Sequence, residues 1–428
     1  MKIELLCVII EPNTKYMGKR TVEFEQVIER GCGLDVHRDT VVATVMGKGL
    51  QTETRTFGTT TSSLKELGEW LESLQVTDGA MESTGIYWKP VLHVLREYPL
   101  NLLVVNARHI KNVPGRKTDK ADSQWICKLL ISGLLKGSFI PPENIQALRD
   151  LHRYKKKLVG TVASEKNRII RVLEDANIKL SSVVSDTSGV TATYIINGLI
   201  AGRKDLEKLV SECYHKKLQA SSEQIVDAIN GRLTPHLAFL LGSMQKHIQS
   251  VQAQIAEIDA EIEKHIKDFE KEIELLQTIP GVGKEGAIGI VAEIGVDMDV
   301  FPSEHHLASH SGMCPGNNES AGKKKSSRTR QGNKHLKATL TELAWGATRT
   351  KKSFFKAKYE SLVVRRGKKR ALIAIGHKIL CASYHIIKNK EAFKELGYEY
   401  LAERKKKNRL EYLKRELKEH GFKIEKAA

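Results

Sequence analysis

Residues 31–142 change hydrophobic period in an order that few folds accommodate. GCGLDVH and TVVATVMG are β-branched runs separated by the turn-prone HRD, and QTETRTFGT reads as a third strand. TSSLKELGEWLESL has helical spacing, with Leu64, Leu67, Trp70 (or Leu71) and Leu74 on one face and Thr and Ser ahead of it as caps. GAMEST is a fourth strand, IYWKPVLHVLREY a second helix and NLLVVNAR a fifth strand. The loop HIKNVPGRKTD then leads into the helix DKADSQWICKLLISGLL. The order βββαβαβα predicts a mixed sheet covered by helices, an α/β domain.

Four acids fall at the ends of these elements. Asp35 lies on the first strand, Glu82 ends the fourth, and Asp119 and Asp122 open the helix after the basic loop. The i, i+3 spacing of Asp119 and Asp122 puts them on one helical face. A ribonuclease H-like fold carries its first metal ligand on the central first strand, so all four acids are expected at one edge. Carboxylate oxygens suit Mg²⁺, and two ions about 3.5–4 Å apart in such a cluster serve phosphodiester cleavage and joining. Each acid also has an ordinary reading. Acids in a first turn complement the helix dipole, and Asp35 can simply open the HRD turn.

The remainder is mainly helical. Residues 1–30 read as an N-terminal extension, with Met17 an alternative start to Met1. Residues 143–275 form a helical region in which Leu237, Leu241, Met244, Ile248, Val251, Ile255, Ile258 and Ile262 alternate spacings of four and three. That a/d seam predicts a coiled coil, with polar flanks favouring self-association over packing inside one subunit. SSVVSDTSGVTATYIINGLIAG is read as a turn between helices. Residues 276–400 form a second globular unit with a Gly- and Lys-rich loop, and 401–428 a solvated, mixed-charge tail.

The formal net charge of +18 makes nucleic acid the first partner to consider. No stretch is long and apolar enough to span a membrane, and MKIELLCVIIEP is a poor signal peptide. Cys7, Cys32, Cys127, Cys213, Cys314 and Cys381 are scattered without a CxxC pair, which reads as reduced thiols in the cytoplasm. Candidate phosphate contacts cluster in four places. Arg116 and Lys117 precede Asp119. Arg153, Lys155, Lys156 and Lys157, followed by Lys166, Arg168 and Arg171, lie along one helix. In TIPGVGKEG, Gly281, Gly283 and Lys284 read as a helix–hairpin–helix turn whose backbone N–H groups can meet a phosphate. Between Gly322 and Lys337 seven residues are Lys or Arg and none is acidic, among them Lys323, Lys324, Lys325, Arg328 and Arg330.

GLDVHRDT, MESTGIYWKPV and VVNARHIKNVPGRKTDKADSQWICKLLISGLL together resemble the N-terminal domain of the DEDD transposases of the "one-ten" insertion-sequence family. LQTIPGVGKEGAIGIVAEIG and FPSEHHLASHSGMCPGNNESAGKKKSSRTRQGNKHLKATLTELAW resemble that family's C-terminal transposase domain. The resemblance covers most of 31–390. It implies a RuvC-like domain in which Asp35, Glu82, Asp119 and Asp122 bind Mg²⁺, with Mn²⁺ as a substitute. It also implies a serine nucleophile, which falls on Ser320 in CPGNNESAGKKK. Ala321 stands where many relatives have Gly, and Ser326 and Ser327 are close by.

The resemblance further implies donor and target DNA as substrates, a guide RNA of bridge type, and a prokaryotic cytoplasmic, nucleoid-associated setting. It also implies a homo-oligomer, dimer or tetramer, whose active site takes carboxylates from one subunit and the serine from another. Two other readings stay open at this level. One is a RuvC-like nuclease or junction resolvase that hydrolyses DNA without a covalent intermediate. The other is a non-catalytic nucleic-acid scaffold.

Overall fold

The structure, a computed structural model, describes residues 27–421 apart from 84, 107–118, 216–217, 317, 321–322, 327–328 and 330. At 119–120, 318–320 and 323–326 it describes the backbone alone. Residue contacts divide the chain into two units, Met1–Ile140 and Pro141–Ala428. Most of the expected N-terminal extension lies outside the described residues.

In the first unit β1 (Arg30–Val36), β2 (Thr40–Gly47), β3 (Leu50–Gly58), β4 (Asp78–Glu82) and β5 (Asn101–Val105) form one sheet in the order β3-β2-β1-β4-β5. β1, β2 and β3 are an antiparallel meander, and β4 and β5 run parallel to β1. All five expected strands are present and the sheet is mixed. One face is covered by α1 (Thr61–Ser73) and α2 (Trp88–Leu95), which bury Leu64, Leu67, Leu71, Val91 and Leu95 against Leu34, Val41, Val45 and Met81. The other carries α3 (Asp119–Ile131), whose Ile126 and Leu130 pack on Ala80 and Val105. With both faces covered, β2 buries six consecutive residues, which explains its unbroken apolar run.

Glycine sets the closeness of α3 to β1. A Cβ on Gly33 would lie 2.2 Å from the Ser123 carbonyl oxygen and 2.4 Å from the Cys127 nitrogen; one on Gly31 would lie 2.8 Å from Ile131 Cγ2. The contact is fastened by Cys127 Sγ donating to the Gly31 carbonyl at 3.2 Å and by a 2.8 Å hydroxyl pair between Ser123 and Thr44 of β2. Burial pushes the Cys32 thiol up, and pushes Cys127 up to about 12. Both are packing groups rather than nucleophiles. The five described cysteines are free thiols.

The second unit is helical. It opens with α4 (Glu143–Asp175), α5 (Leu180–Val183), α6 (Val190–Ile200), α7 (Leu206–Ser211), α8 (Ser222–Ile229) and α9 (Pro235–His265). The heptad seam is present in α9, where Leu237, Leu241, Ile248, Val251 and Ile262 are buried. Its partner here is α4 of the same chain: Leu237, Leu241 and Ile248 share a core with Ile169 and Leu173. A heptad specifies a second helix but not which chain supplies it.

The stretch read as a turn contains helix α6, so that expectation is corrected. The turn is confined to Ser185–Gly189, fixed by Asp186 accepting from the Ser188 amide and hydroxyl. Burial of Thr191, Ala192, Ile195 and Ile196 outweighs the weak helix propensity of their β-branched neighbours.

The unit continues through α10 (Glu270–Gln277), α11 (Lys284–Ile294), α12 (Glu304–His310), α13 (Lys334–Arg349), α14 (Phe354–Arg366), α15 (Lys368–Asn389) and α16 (Tyr400–Glu419). The Gly- and Lys-rich loop has paired backbone among its described residues. It contains a two-stranded ribbon, β6 (Asn318–Ser320) against β7 (Lys323–Ser326). α16 has no buried residue, as expected of the tail.

Candidate carboxylate edge and serine hairpin

β1 and β4 are parallel neighbours with Leu34 opposite Met81, so Asp35 and Glu82 are the next residues along two adjacent strands, at their carboxyl ends. Strand side chains alternate faces. Asp35 therefore shares a face with Gly31 and Gly33, and Glu82 with Ala80. That is the face on which α3 lies.

The direction of α3 follows from the same contacts. Gly31 meets Leu130 and Ile131 near the helix end, while Gly33 meets Ser123 and Cys127 earlier in it. The helix thus runs antiparallel to β1, and its first turn, with Asp119 and Asp122, reaches the sheet edge that holds Asp35 and Glu82. The α3 dipole points its positive end at that edge. His37 Nε2, in the turn after β1, lies 3.1 Å from Asp35 Oδ2.

The Asp119 side chain lies outside the described residues, as do Arg116 and Lys117. Among the described residues no three His, Cys, Asp or Glu side chains converge on a cation. The backbone thus gathers Asp35, Glu82 and Asp122 at one edge without itself closing a coordination sphere. The donor set is all oxygen, which suits Mg²⁺ or Mn²⁺.

Ser320 sits in the second unit. It is the last residue of β6 and pairs with Lys323, the first of β7. Lys324 and Lys325 follow on β7, and the Arg328 and Arg330 positions lie outside the described residues. The excursion that carries the hairpin is clamped at its base. Pro315 bridges Thr329, and the Asn333 amide donates to the His310 carbonyl at 2.9 Å. A Cβ on Gly332 would stand 2.3 Å from the Gly312 nitrogen. Lys337 Nζ holds both the Gly312 carbonyl (3.1 Å) and Thr329 Oγ1 (2.8 Å).

A buried carboxylate anchors this clamp, and sequence reasoning did not single it out. Glu293 of α11 is 1% exposed and bound by Arg153 through two 2.7 Å bonds in a bidentate fork. Asn333 Nδ2 adds a third bond at 2.6 Å. Burial pushes the Glu293 carboxyl up, but the Arg153 and Asn333 bonds outweigh it and hold it below the usual carboxylate range. The other end of Asn333 caps α13 by accepting from the His335 and Leu336 amides. One asparagine thereby ties α11 and α4 to the strand of chain that returns from the serine hairpin. The available signal was an acid in the otherwise apolar run IGIVAEIG.

Several cations expected to meet phosphate are matched to acids of their own unit. Lys155 lies 2.5 Å from both Asp259 and Glu285, Lys156 2.6 Å from Glu342, Arg168 2.5 Å from Glu165, and Lys284 2.8 Å from Glu263. Gly281 has φ +85 and lies against the α13 backbone, where a Cβ would be 2.3 Å from the Ala347 nitrogen. Gly281 is therefore needed for packing. Gly283, the N-cap of α11, has open space around it.

A RuvC-like α/β domain carrying acids at the carboxyl edge of its sheet, followed by a helical C-terminal unit, is the architecture of a DEDD transposase. Two family models match the chain: a DEDD transposase model over residues 32–178, and a model described as the transposase IS116/IS110/IS902 family over residues 273–360. Together they span more than half of the chain. The chain belongs to the IS110 family of DEDD transposases. No curated protein matches it significantly. Its substrate is accordingly DNA, and among the described residues no helix is long and apolar enough to cross a membrane.

Proposed function

We propose that the protein cuts and rejoins DNA strands through a covalent serine–phosphate intermediate formed at Ser320. Asp35, Glu82, Asp119 and Asp122 would hold Mg²⁺. The observation that carries this reading is the antiparallel run of α3 on β1, which brings the first turn of the helix to the edge bearing Asp35 and Glu82.

In the first step the Ser320 hydroxyl oxygen attacks the scissile phosphorus. An O–P bond to serine forms as the bond to one deoxyribose oxygen breaks; the serine proton leaves to solvent and the departing oxygen takes one up. In the second step a hydroxyl of another strand attacks the phosphoserine and releases Ser320. Each step exchanges one phosphate ester for another, so no nucleotide cofactor is required. A bound divalent ion supplies charge neutralisation at the phosphate oxygens. Lys323, Lys324 and Lys325 adjoin Ser320 in sequence and would orient the phosphate. The clamp around Asn333 holds the base of the excursion that carries Ser320.

Strand choice would come from a bridge-type guide RNA, and the working species would be a homo-oligomer in the prokaryotic cytoplasm, near the nucleoid. Both rest on membership of the family.

The test is trapping. Purified protein, RNA transcribed from the sequence flanking its gene, and labelled donor and target DNA are incubated with Mg²⁺ and then denatured. Label is expected on the protein, and is expected to be lost in both Ser320→Ala and Asp122→Ala. Cleaved DNA without protein-bound label, unaffected by Ser320→Ala, would mean a hydrolytic nuclease and would sink the serine step.

A further inference from the structure

A second basic surface in the Pro141–Ala428 unit differs from those above in that its central cations make no ion pair with an acid among the described residues. Between Lys351 and Arg370 nine residues are Lys or Arg and a single one, Glu360, is acidic. Glu360 is already engaged, accepting from Tyr398 Oη. The segment comprises α14 and the first turn of α15, which opens with Lys368, Lys369 and Arg370 and has no acid there. Cations at the positive end of a helix dipole are the reverse of the stabilising arrangement.

The chain returns over this surface and adds to it. Phe393 stacks on Phe355 at 5.6 Å, Tyr400 meets Phe354 edge-on at 5.9 Å, and Glu395 accepts from the Phe354 amide at 2.8 Å. These contacts seat the start of α16 on α14. Arg404 and Lys405 of α16, Arg365 of α14 and Lys378 of α15 then surround Lys358 of α14 closely enough for all four charges to act on it. Burial first, then those four charges, hold the half-buried Lys358 ammonium below the usual lysine range. Among the described residues none of the five makes an ion pair, in contrast to Lys155, Lys156, Arg168 and Lys284. Aromatic packing holds like charges together here, and a polyanion relieves their repulsion.

We propose that Lys358, Arg365, Lys378, Arg404 and Lys405 form a seat for the phosphate backbone of duplex DNA, apart from the Ser320 hairpin. The choice of DNA as the polyanion rests on the transposase assignment.

The test is the salt dependence of binding, read by fluorescence anisotropy of a labelled DNA duplex with the full chain. Removing one cation that neutralises a phosphate lowers the slope of log K against log salt by about 0.9. The variant Arg365→Gln/Lys378→Gln/Arg404→Gln/Lys405→Gln changes four exposed side chains and leaves the aromatic packing in place. Its slope is expected to fall by roughly two to four, with affinity down on the order of tenfold or more at moderate salt. The control Lys155→Gln/Lys156→Gln/Arg168→Gln removes paired cations and is expected to change the slope by less than about one.

An unchanged slope in the first variant, with an unchanged melting curve, overturns the proposal. So does a loss of binding to anionic phospholipid vesicles with DNA binding intact, which would make the surface a membrane contact. Adduct formation at saturating DNA is a separate readout, and the four-site variant is expected to retain it. Failure of the wild type to form any adduct would remove the serine step without altering the meaning of the salt slopes.

Discussion

Glu285 illustrates how much a single carboxylate in this protein depends on its neighbours. It opens α11, and His152 Nε2 lies 3.4 Å from its Oε1 while Lys155 Nζ lies 2.5 Å from its Oε2. The His152 interaction, opposed by burial and aided by Lys155, holds its carboxyl at about 2, below the ordinary 4.5. A depressed folded value stabilises the fold above the ordinary value, and that stability is lost as pH falls through the folded one. Glu285→Gln is therefore expected to lower the melting temperature at pH 6. The difference from wild type should shrink between about pH 4.5 and pH 2 in melts monitored by circular dichroism. At this scale the sequence was partly legible. Asp35, Glu82 and Asp122 were identifiable because strand ends and first turns are marked in one dimension. The partners of Lys155, Lys156 and Glu293 were not, because they come from elements more than a hundred residues away.

At the scale of elements, α9 shows what periodicity specifies. Its seam was readable residue by residue, yet the helix it packs on is α4, which no spacing rule names. Leu241 is fully buried in that interface. Leu241→Ala is expected to cost about 2–5 kcal/mol by urea denaturation. Because the cavity opens inside one chain, the mass measured by light scattering should stay the same. A drop in mass with unchanged stability would instead assign the seam to subunit pairing. Elements missed by sequence reasoning failed for the same reason. α6 was hidden because β-branched residues and Ser/Thr read as a turn until burial of its apolar face is added. The β6–β7 ribbon was hidden because a run of Lys and Ser carries no apolar alternation.

At the scale of the molecule, each unit has its own core: the sheet with α1, α2 and α3 in one, the helices around Leu209 and Leu241 in the other. The proposed metal site draws every ligand from the first unit. Mg²⁺ should therefore raise the melting of that unit and leave the other in place, by about 2.7 kcal/mol at a hundredfold excess over Kd. Scanning calorimetry with and without Mg²⁺ checks this, and Asp35→Asn should abolish the shift. A shift of equal size in the variant would mean that the ion binds elsewhere. The net charge of +18 belongs to this scale too. It signals a polyanionic partner, but it does not say where the free charge lies, because many lysines and arginines are neutralised by acids of the same unit.

The sequence by itself determined the order of strands and helices in residues 31–142, the placing of acids at element ends, and the family. These are local or near-local features: hydrophobic period, turn chemistry and short motifs read along one strand or helix. Only the tertiary structure decided the rest. It set the direction of α3 across Gly31 and Gly33, the partner of the α9 seam, the clamp of Glu293 on Asn333, and which cations stay unanswered. Each of these is a choice among partners distant in sequence, and it is made by the summed burial and electrostatics of the folded chain, which no window of sequence contains.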